Sequence, residues 1–161
     1  LAAGGYPENL SVGRPRNDPR APQVAYHTAR AYEALGNAEK AKAYDEKSAK
    51  QKETQHWPET QFYQAMAMAG LGDKTQAKAL FEGLIETGTA RIEHDEGTDF
   101  FAKFGEQQAR QARLATAHYL RGLGYLGTGH REAARLEFQQ ATTLNASDVW
   151  ARAQLVALGN R

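Results

Sequence analysis

The chain reads as all-α: an α-α superhelix, a right-handed stack of about three antiparallel helical hairpins closed by a final capping helix. Three observations predict it. From Ala21 onward the composition is dominated by Ala, Gln, Glu, Lys and Leu, which lose little side-chain entropy in a helix, while alternating Val, Ile and Thr runs are missing. Three windows share one spacing of three, four and five residues: Ala29, Tyr32, Gly36, Ala41; Ala65, Met68, Gly72, Ala77; and Gly122, Tyr125, Gly129, Ala134. That order of small, bulky, glycine and small residues encodes a helix that stops at a glycine, turns tightly and is followed by a second helix folding back.

Residues 1–20 form an extended lead-in. Gly4, Gly5, Pro7, Gly13, Pro15, Pro19 and Pro22 punctuate residues 4–22 too densely for a helix or a central strand. Leu1 is not an initiator methionine, so the chain is expected to be a piece of a longer protein. Helices are expected near 21–35, 38–52, 58–70, 74–87, 106–127, 131–144 and 148–158. Gly36, Gly72 and Gly129 take the left-handed conformation that ends the first helix of each pair. Asn37 and Asp73 then accept backbone donors of the second, with His130 as a weaker substitute. Small residues at both marked positions let paired helix axes approach, with Tyr32, Met68 and Tyr125 filling the volume beside them. Phe81 and Phe138 close each pair on its neighbour. Pro58 suits a first helical turn, where its missing donor costs nothing. Glu93, His94, Asp95, Glu96 and Gly97 read as a polar loop, after which Asp99 starts a short turn carrying Phe100, Phe101 and Phe104. Ser147 or Asp148 caps the last helix, whose Trp150 and Leu155 are expected to cover the end of the stack.

These windows resemble the tetratricopeptide repeat, a 34-residue helical hairpin with small, aromatic and glycine positions at these offsets. The resemblance covers about two thirds of the chain; a helical repeat domain is expected over 21–161, with repeats at about 22–52, 58–88 and 115–145, an insertion at about 89–113 and the capping helix at 148–158. The third window matches best, continuing through Phe138 and Ala141. The first repeat carries Asp45 where a large aromatic is usual, with Tyr44 one place earlier. The chain also looks, at Tyr6 to Leu10, Gly13 and Arg14, and again at Asp99 to Phe101 and Tyr119 to Gly124, like the C-terminal helical region of large bacterial proteins with a probable carbohydrate-active N-terminal module. That likeness implies an accessory domain packed on its parent.

Catalytic chemistry finds little footing. With no cysteine there is no disulfide, thiolate nucleophile or sulfur-based zinc site. His27, His56, His94, His118 and His130 show no HExxH spacing, and residues 93–99 lack the alternating oxygens and central glycine of an EF-hand loop. No nucleophile elbow, phosphate loop or dinucleotide fingerprint occurs. Gly122, Gly124, Gly127 and Gly129 read as helix-packing glycines. No cofactor or metal is expected. If the chain were an enzyme, Glu93, His94, Asp95 and Asp99 are where convergent ionisable groups would be sought.

Twenty basic and nineteen acidic residues leave a formal charge of +1, with no field to draw nucleic acid. Arg14, Arg16 and Arg20 are the most basic short stretch and read as solvating a linker. Lys40, Lys42, Lys47, Lys50 and Lys52, interleaved with acids, read as a solvated helix face. No apolar run approaches the roughly 20 residues of a membrane span, and residues 1–20 lack a signal-peptide pattern. A soluble protein is expected, cytoplasmic or periplasmic.

What remains is a surface. In the family resembled, the first helix of each hairpin lines a concave face that binds protein partners. The positions implied here are Tyr26, Phe62 and Tyr119, with Arg30, Met66 and Leu123 one turn on. Such aromatic and soft apolar groups offer large contact area at small entropic cost. Aromatic stripes at helical spacing also build cores, and the Phe100, Phe101, Phe104 cluster could occupy the same groove. Family members that clamp a C-terminal carboxylate use lysine and asparagine on their first helices. Here Tyr26, Arg30, Tyr63, Thr116 and Leu120 stand instead, so that clamp is missing. The partner implied is a protein or peptide, or the rest of the parent chain.

Overall fold

A computed structural model describes residues 18, 20–50, 57–96 and 104–159, with the side chains of 95, 96 and 104–106 outside that description. Among the described residues there are seven α-helices and no strand: α1 Ala21–Ala34, α2 Ala38–Ala49, α3 Thr60–Gly70, α4 Lys74–Glu96, α5 Phe104–Gly127, α6 Arg131–Leu144 and α7 Val149–Gly159. The all-α class and the hairpin order are those the sequence predicts. The lead-in up to residue 17, Lys52, Gly97 and Asp99 to Phe101 lie outside the described residues.

All three hairpin turns are built alike. Gly36, Gly72 and Gly129 have φ of 73°, 96° and 85°, a region that costs a side chain dearly and glycine nothing. Behind each glycine the next amide reaches back to the carbonyl of the bulky residue: Asn37 to Tyr32, Asp73 to Met68 and His130 to Tyr125, each at 2.9 Å. This is the Schellman closure. Asn37 then accepts from the Lys40 amide at 3.1 Å and Asp73 from the Gln76 amide at 3.0 Å. His130 makes no such cap; its Nδ1 lies 2.9 Å from the Thr128 hydroxyl instead.

The chain divides into two compact units, 1–77 and 78–161, with the boundary inside α4. In the first, α1 packs on both α2 and α3, and α2 on α3. Ala25, Ala29, Ala41, Ala65 and Ala67 are buried and let the helices close in around Phe62 and Tyr63. The buried Ser48 hydroxyl donates to the Pro22 carbonyl at 2.8 Å, tying the end of α2 to the start of α1. Two expectations change here. Pro58 precedes α3 by two residues, because Thr60, Gln61 and Phe62 bond back to Trp57, Pro58 and Glu59 in a tighter turn of i to i+3 type. Asp45 is buried where an aromatic was usual, and Tyr44, a helical step aside, stacks on Tyr32 with ring centroids 5.5 Å apart.

In the second unit α5 packs on α6 and α6 on α7. The polar loop expected from Glu93 is corrected over residues 93–96, where α4 continues unbroken to Glu96; Gly97 lies outside the described residues, and α5 starts at Phe104. Much of the insertion is therefore helix. Gly88 does not stop α4, because the α5 backbone fills the space a side chain would take; a Cβ there would lie 2.7 Å from the Ala117 carbonyl oxygen. Gly124 answers from α5, where a Cβ would meet the Phe81 carbonyl oxygen and Ile85 at 2.6 Å. Phe81 lies over Gly127, and Phe138 over Gly122 inside its own hairpin. The last helix is capped by Asp148, which accepts from the Trp150 and Ala151 amides at 3.0 Å. It seals the unit with Ala151 and Leu158 rather than Trp150, which is 55% exposed.

Candidate functional site

Surface and core separate the six residues expected to face a partner. Phe62, Tyr119 and Leu123 are 5%, 8% and 0% exposed. A side chain at that burial has little area exposed, and these three pack within their own units. Tyr119 lies 5.9 Å from the Phe138 ring, and Leu123 is among the largest fully buried side chains. Tyr26, Arg30 and Met66 keep intermediate exposure.

Those three belong to α1 and α3, the first helices of two successive hairpins, which pack side by side. Tyr63 supports the patch from beneath. Its ring centroid lies 5.8 Å from Tyr26, 5.2 Å from His27 and 5.4 Å from Phe62, and its hydroxyl accepts from Gln23 at 3.2 Å. Burial raises the Tyr63 pKa, only partly offset by the Gln23 bond, and partial desolvation against that ring lowers that of His27. Both groups are therefore neutral near pH 7. The Arg30 guanidinium sits 5.2 Å from the Tyr26 ring centroid, a cation–π arrangement that holds the ring upright.

Arg30 also reaches Glu33 at 2.7 Å and pairs with the buried Asp45 carboxylate. Desolvation raises the Asp45 pKa, opposed by the attraction of Arg30. Asp45 Oδ1 and Arg30 Nε remain buried without a hydrogen-bond partner. Sequence reasoning placed Arg30 on the surface and missed its partner. The signal was there: an acid in an aromatic's place on α2 needs a cation from a neighbouring helix.

The second unit holds a charged cluster that the sequence did not single out. Glu137 on α6 takes His118 Nδ1 at 2.8 Å and Arg121 at 2.9 Å, both from α5, with its side chain 13% exposed. Burial alone would raise the Glu137 pKa, but the bonds from His118 and Arg121 outweigh it and the net shift is downward. Near the far ends of α4 and α5 a cleft of about 620 Å³ opens, lined by Thr87, Ala90, Arg91, His94, Arg113 and Thr116. Of the residues named as enzyme candidates, His94 lines this cleft and Glu93 is exposed on α4. The Asp95 side chain and Asp99 lie outside the described residues. Among the described residues no three metal-binding side chains gather, and no helix is long and apolar enough to cross a membrane. Lys40, Lys42, Lys47 and Lys50 are exposed, with Lys50 paired to Glu46 at 3.2 Å; Lys40 and Lys47 lie over Tyr32 and Tyr44.

Residues 22–54 and 115–148 match one family model of the tetratricopeptide repeat, and residues 59–87 match a second model of that description. No curated protein matches the chain. Among solved structures it is similar to MamA, residues 41 to the end, from Desulfovibrio magneticus RS-1. The identity is 18%, covering 88% of this chain and 85% of that one, with a TM-score of 0.30. A MamA RS-1 ArsTM double mutant is similar at 18% identity over 88% and 84% of the two chains, with the same TM-score. None of these matches points to a carbohydrate-active module. The family models span most of the described helices and share the three turn glycines, so the chain belongs to the tetratricopeptide repeat family, a scaffold for protein–protein interaction.

Proposed function

We propose that this chain is a non-catalytic scaffold that receives a segment of a protein partner on the surface of its first helices, centred on Tyr26, Arg30 and Met66. The observation that supports this reading is the state of Tyr26. Its ring is only half-buried, fixed by Tyr63 below and by the Arg30 guanidinium beside it, so it offers area without an entropic penalty on binding. Met66 adds a soft, adaptable apolar contact. Phe62, buried on α3, packs beneath this surface rather than on it. The alternative, an accessory domain packed on a carbohydrate-active parent through residues 6–20, depends on a lead-in outside the described residues and on short sequence likenesses alone.

Photo-crosslinking from position 66 in the cell, followed by titration of the captured protein, tests the reading. Tyr26→Ala and Met66→Ala are expected to weaken that complex about tenfold or more, the size of a modest interface anchor, while leaving helicity unchanged. Equal affinity for wild type and both variants overturns the proposal. Crosslinks confined to the parent chain favour the accessory domain.

A further inference from the structure

Helix α7 is apolar on two sides. Between Val149 and Gly159 only Arg152 and Gln154 are hydrophilic. Ala151 and Leu158 are buried against the unit, whereas Val149, Trp150 and Val156 are each more than half exposed, with Ala153 and Ala157 exposed beside them. At about 3.6 residues per turn these five fall on one stripe covering roughly a third of the helix circumference, opposite Ala151 and Leu158. A helix with water on its outer side ordinarily carries polar residues there, and one that is apolar all round is covered. The stripe offers roughly 400 Å² of exposed side chain, the size of apolar patch that marks an interaction site.

We infer that a second copy of the chain docks on this stripe, α7 against α7, antiparallel about a two-fold axis at Ala153. The stripe is its own complement under that operation. The two Ala153 methyls meet at the axis and let the helices approach closely. Val149 and Val156 share one flank of the stripe at opposite ends, so Val149 of each copy meets Val156 of the other. Trp150 and Ala157 share the other flank, and the largest side chain of the stripe meets a small one in the same way. Arg152, the single charged residue of α7, stays on the solvated rim, and the antiparallel placing sets each helix terminus beside one of opposite polarity. Two stripes bury roughly 800 Å², and the rims at Arg152 and Gln154 bring the total to about 1,000 Å², where specific interfaces begin. This contact is separate from the Tyr26 surface, which lies on α1 and α3, and does not depend on it.

Sedimentation equilibrium of the full chain from about 1 to 100 µM, the span of modest protein–protein affinities, tests this. Wild type is expected to pass from monomer to dimer, and Trp150→Gln/Val156→Gln to weaken the dimer at least tenfold with helicity unchanged. Leu136→Gln, which alters an equally exposed side chain on α6, and Tyr26→Ala/Met66→Ala should each stay within threefold. Since the chain has no cysteine, Ala153→Cys puts one thiol per copy at the axis, and mild oxidation should link it at least tenfold faster than Leu136→Cys. Val149→Cys and Val156→Cys chains, mixed, should link to each other faster than either links to itself. A chain that stays monomeric throughout, as it would with another segment or partner class on the stripe, overturns the inference. So does a dimer that Trp150→Gln/Val156→Gln leaves intact, or equal linking at positions 153 and 136. Melts of Trp150 variants are read at dilutions where the chain is monomeric, because dimerisation adds its own stabilisation at higher concentration.

Discussion

Asp45 on α2 and Arg30 on α1 form an ion pair whose acidic member is only 7% exposed, in the place where this family usually packs an aromatic ring. The carboxylate has lost most of its water, which raises its pKa, and Arg30 is the counter-charge that makes its burial tolerable. Arg30 is held in turn against Tyr26, so one interior acid sets the posture of a surface aromatic.

Removing Arg30 alone leaves a buried carboxylate unpaired. Arg30→Met is expected to lower unfolding free energy by about 2–3 kcal/mol, at or below the low end for a broken buried pair because the guanidinium is partly exposed. Arg30→Met/Asp45→Met should recover at least half of that loss. Urea denaturation checks both; an Arg30→Met protein as stable as wild type contradicts the assignment.

The two buried acids respond to pH with opposite signs. Asp45 has its folded pKa raised, so the unfolded chain ionises first and stability is lost as pH rises from about 4 towards the folded value. Glu137 has its folded pKa lowered, so its contribution is present above about 4.3 and is lost as pH falls through the folded value. Asp45→Asn should therefore gain on wild type with rising pH across its window, and Glu137→Gln should cost stability at pH 7 but less near pH 3. Urea titrations between pH 3 and 8 read both trends.

Two helical glycines should answer alanine in opposite ways. Gly83 on α4 has nothing within 4 Å of an added Cβ, and Gly83→Ala should stabilise by about 0.5–1 kcal/mol through helix propensity. At Gly124 an added Cβ meets the α4 backbone at 2.6 Å, so Gly124→Ala must push the helices apart and should cost about 1–3 kcal/mol. Thermal melts of the pair, with equal shifts, would contradict the close crossing.

Core and surface aromatics should also part company. Phe138→Ala removes a fully buried ring and should cost about 3–5 kcal/mol. Trp150→Gln, on the outer side of α7, should change stability by less than about 0.5 kcal/mol. A large loss at Trp150 would restore it to the capping role expected from sequence.

The hairpins were legible because their determinants are local. A left-handed glycine, a side-chain cap three residues from its amide and a small residue at each crossing are all set within about a dozen positions, and chain order alone displays them. Gly36, Gly72 and Gly129 accordingly mark the turns in sequence and structure alike. The extent of α4 was not local in this sense: Gly88 reads as a weak point until α5 is brought against it, and the loop expected at residue 93 was helix for that reason. Burial likewise depends on which neighbours arrive. Tyr26 and Phe62 hold equivalent places in their repeats, yet only Tyr26 keeps an open face. The sequence by itself determined the helices, the turns and the absence of familiar catalytic motifs. The tertiary structure alone decided which aromatics are core, which arginine answers Asp45 and where Arg91 and Arg113 share a cleft, because each depends on side chains far apart in the chain meeting in space.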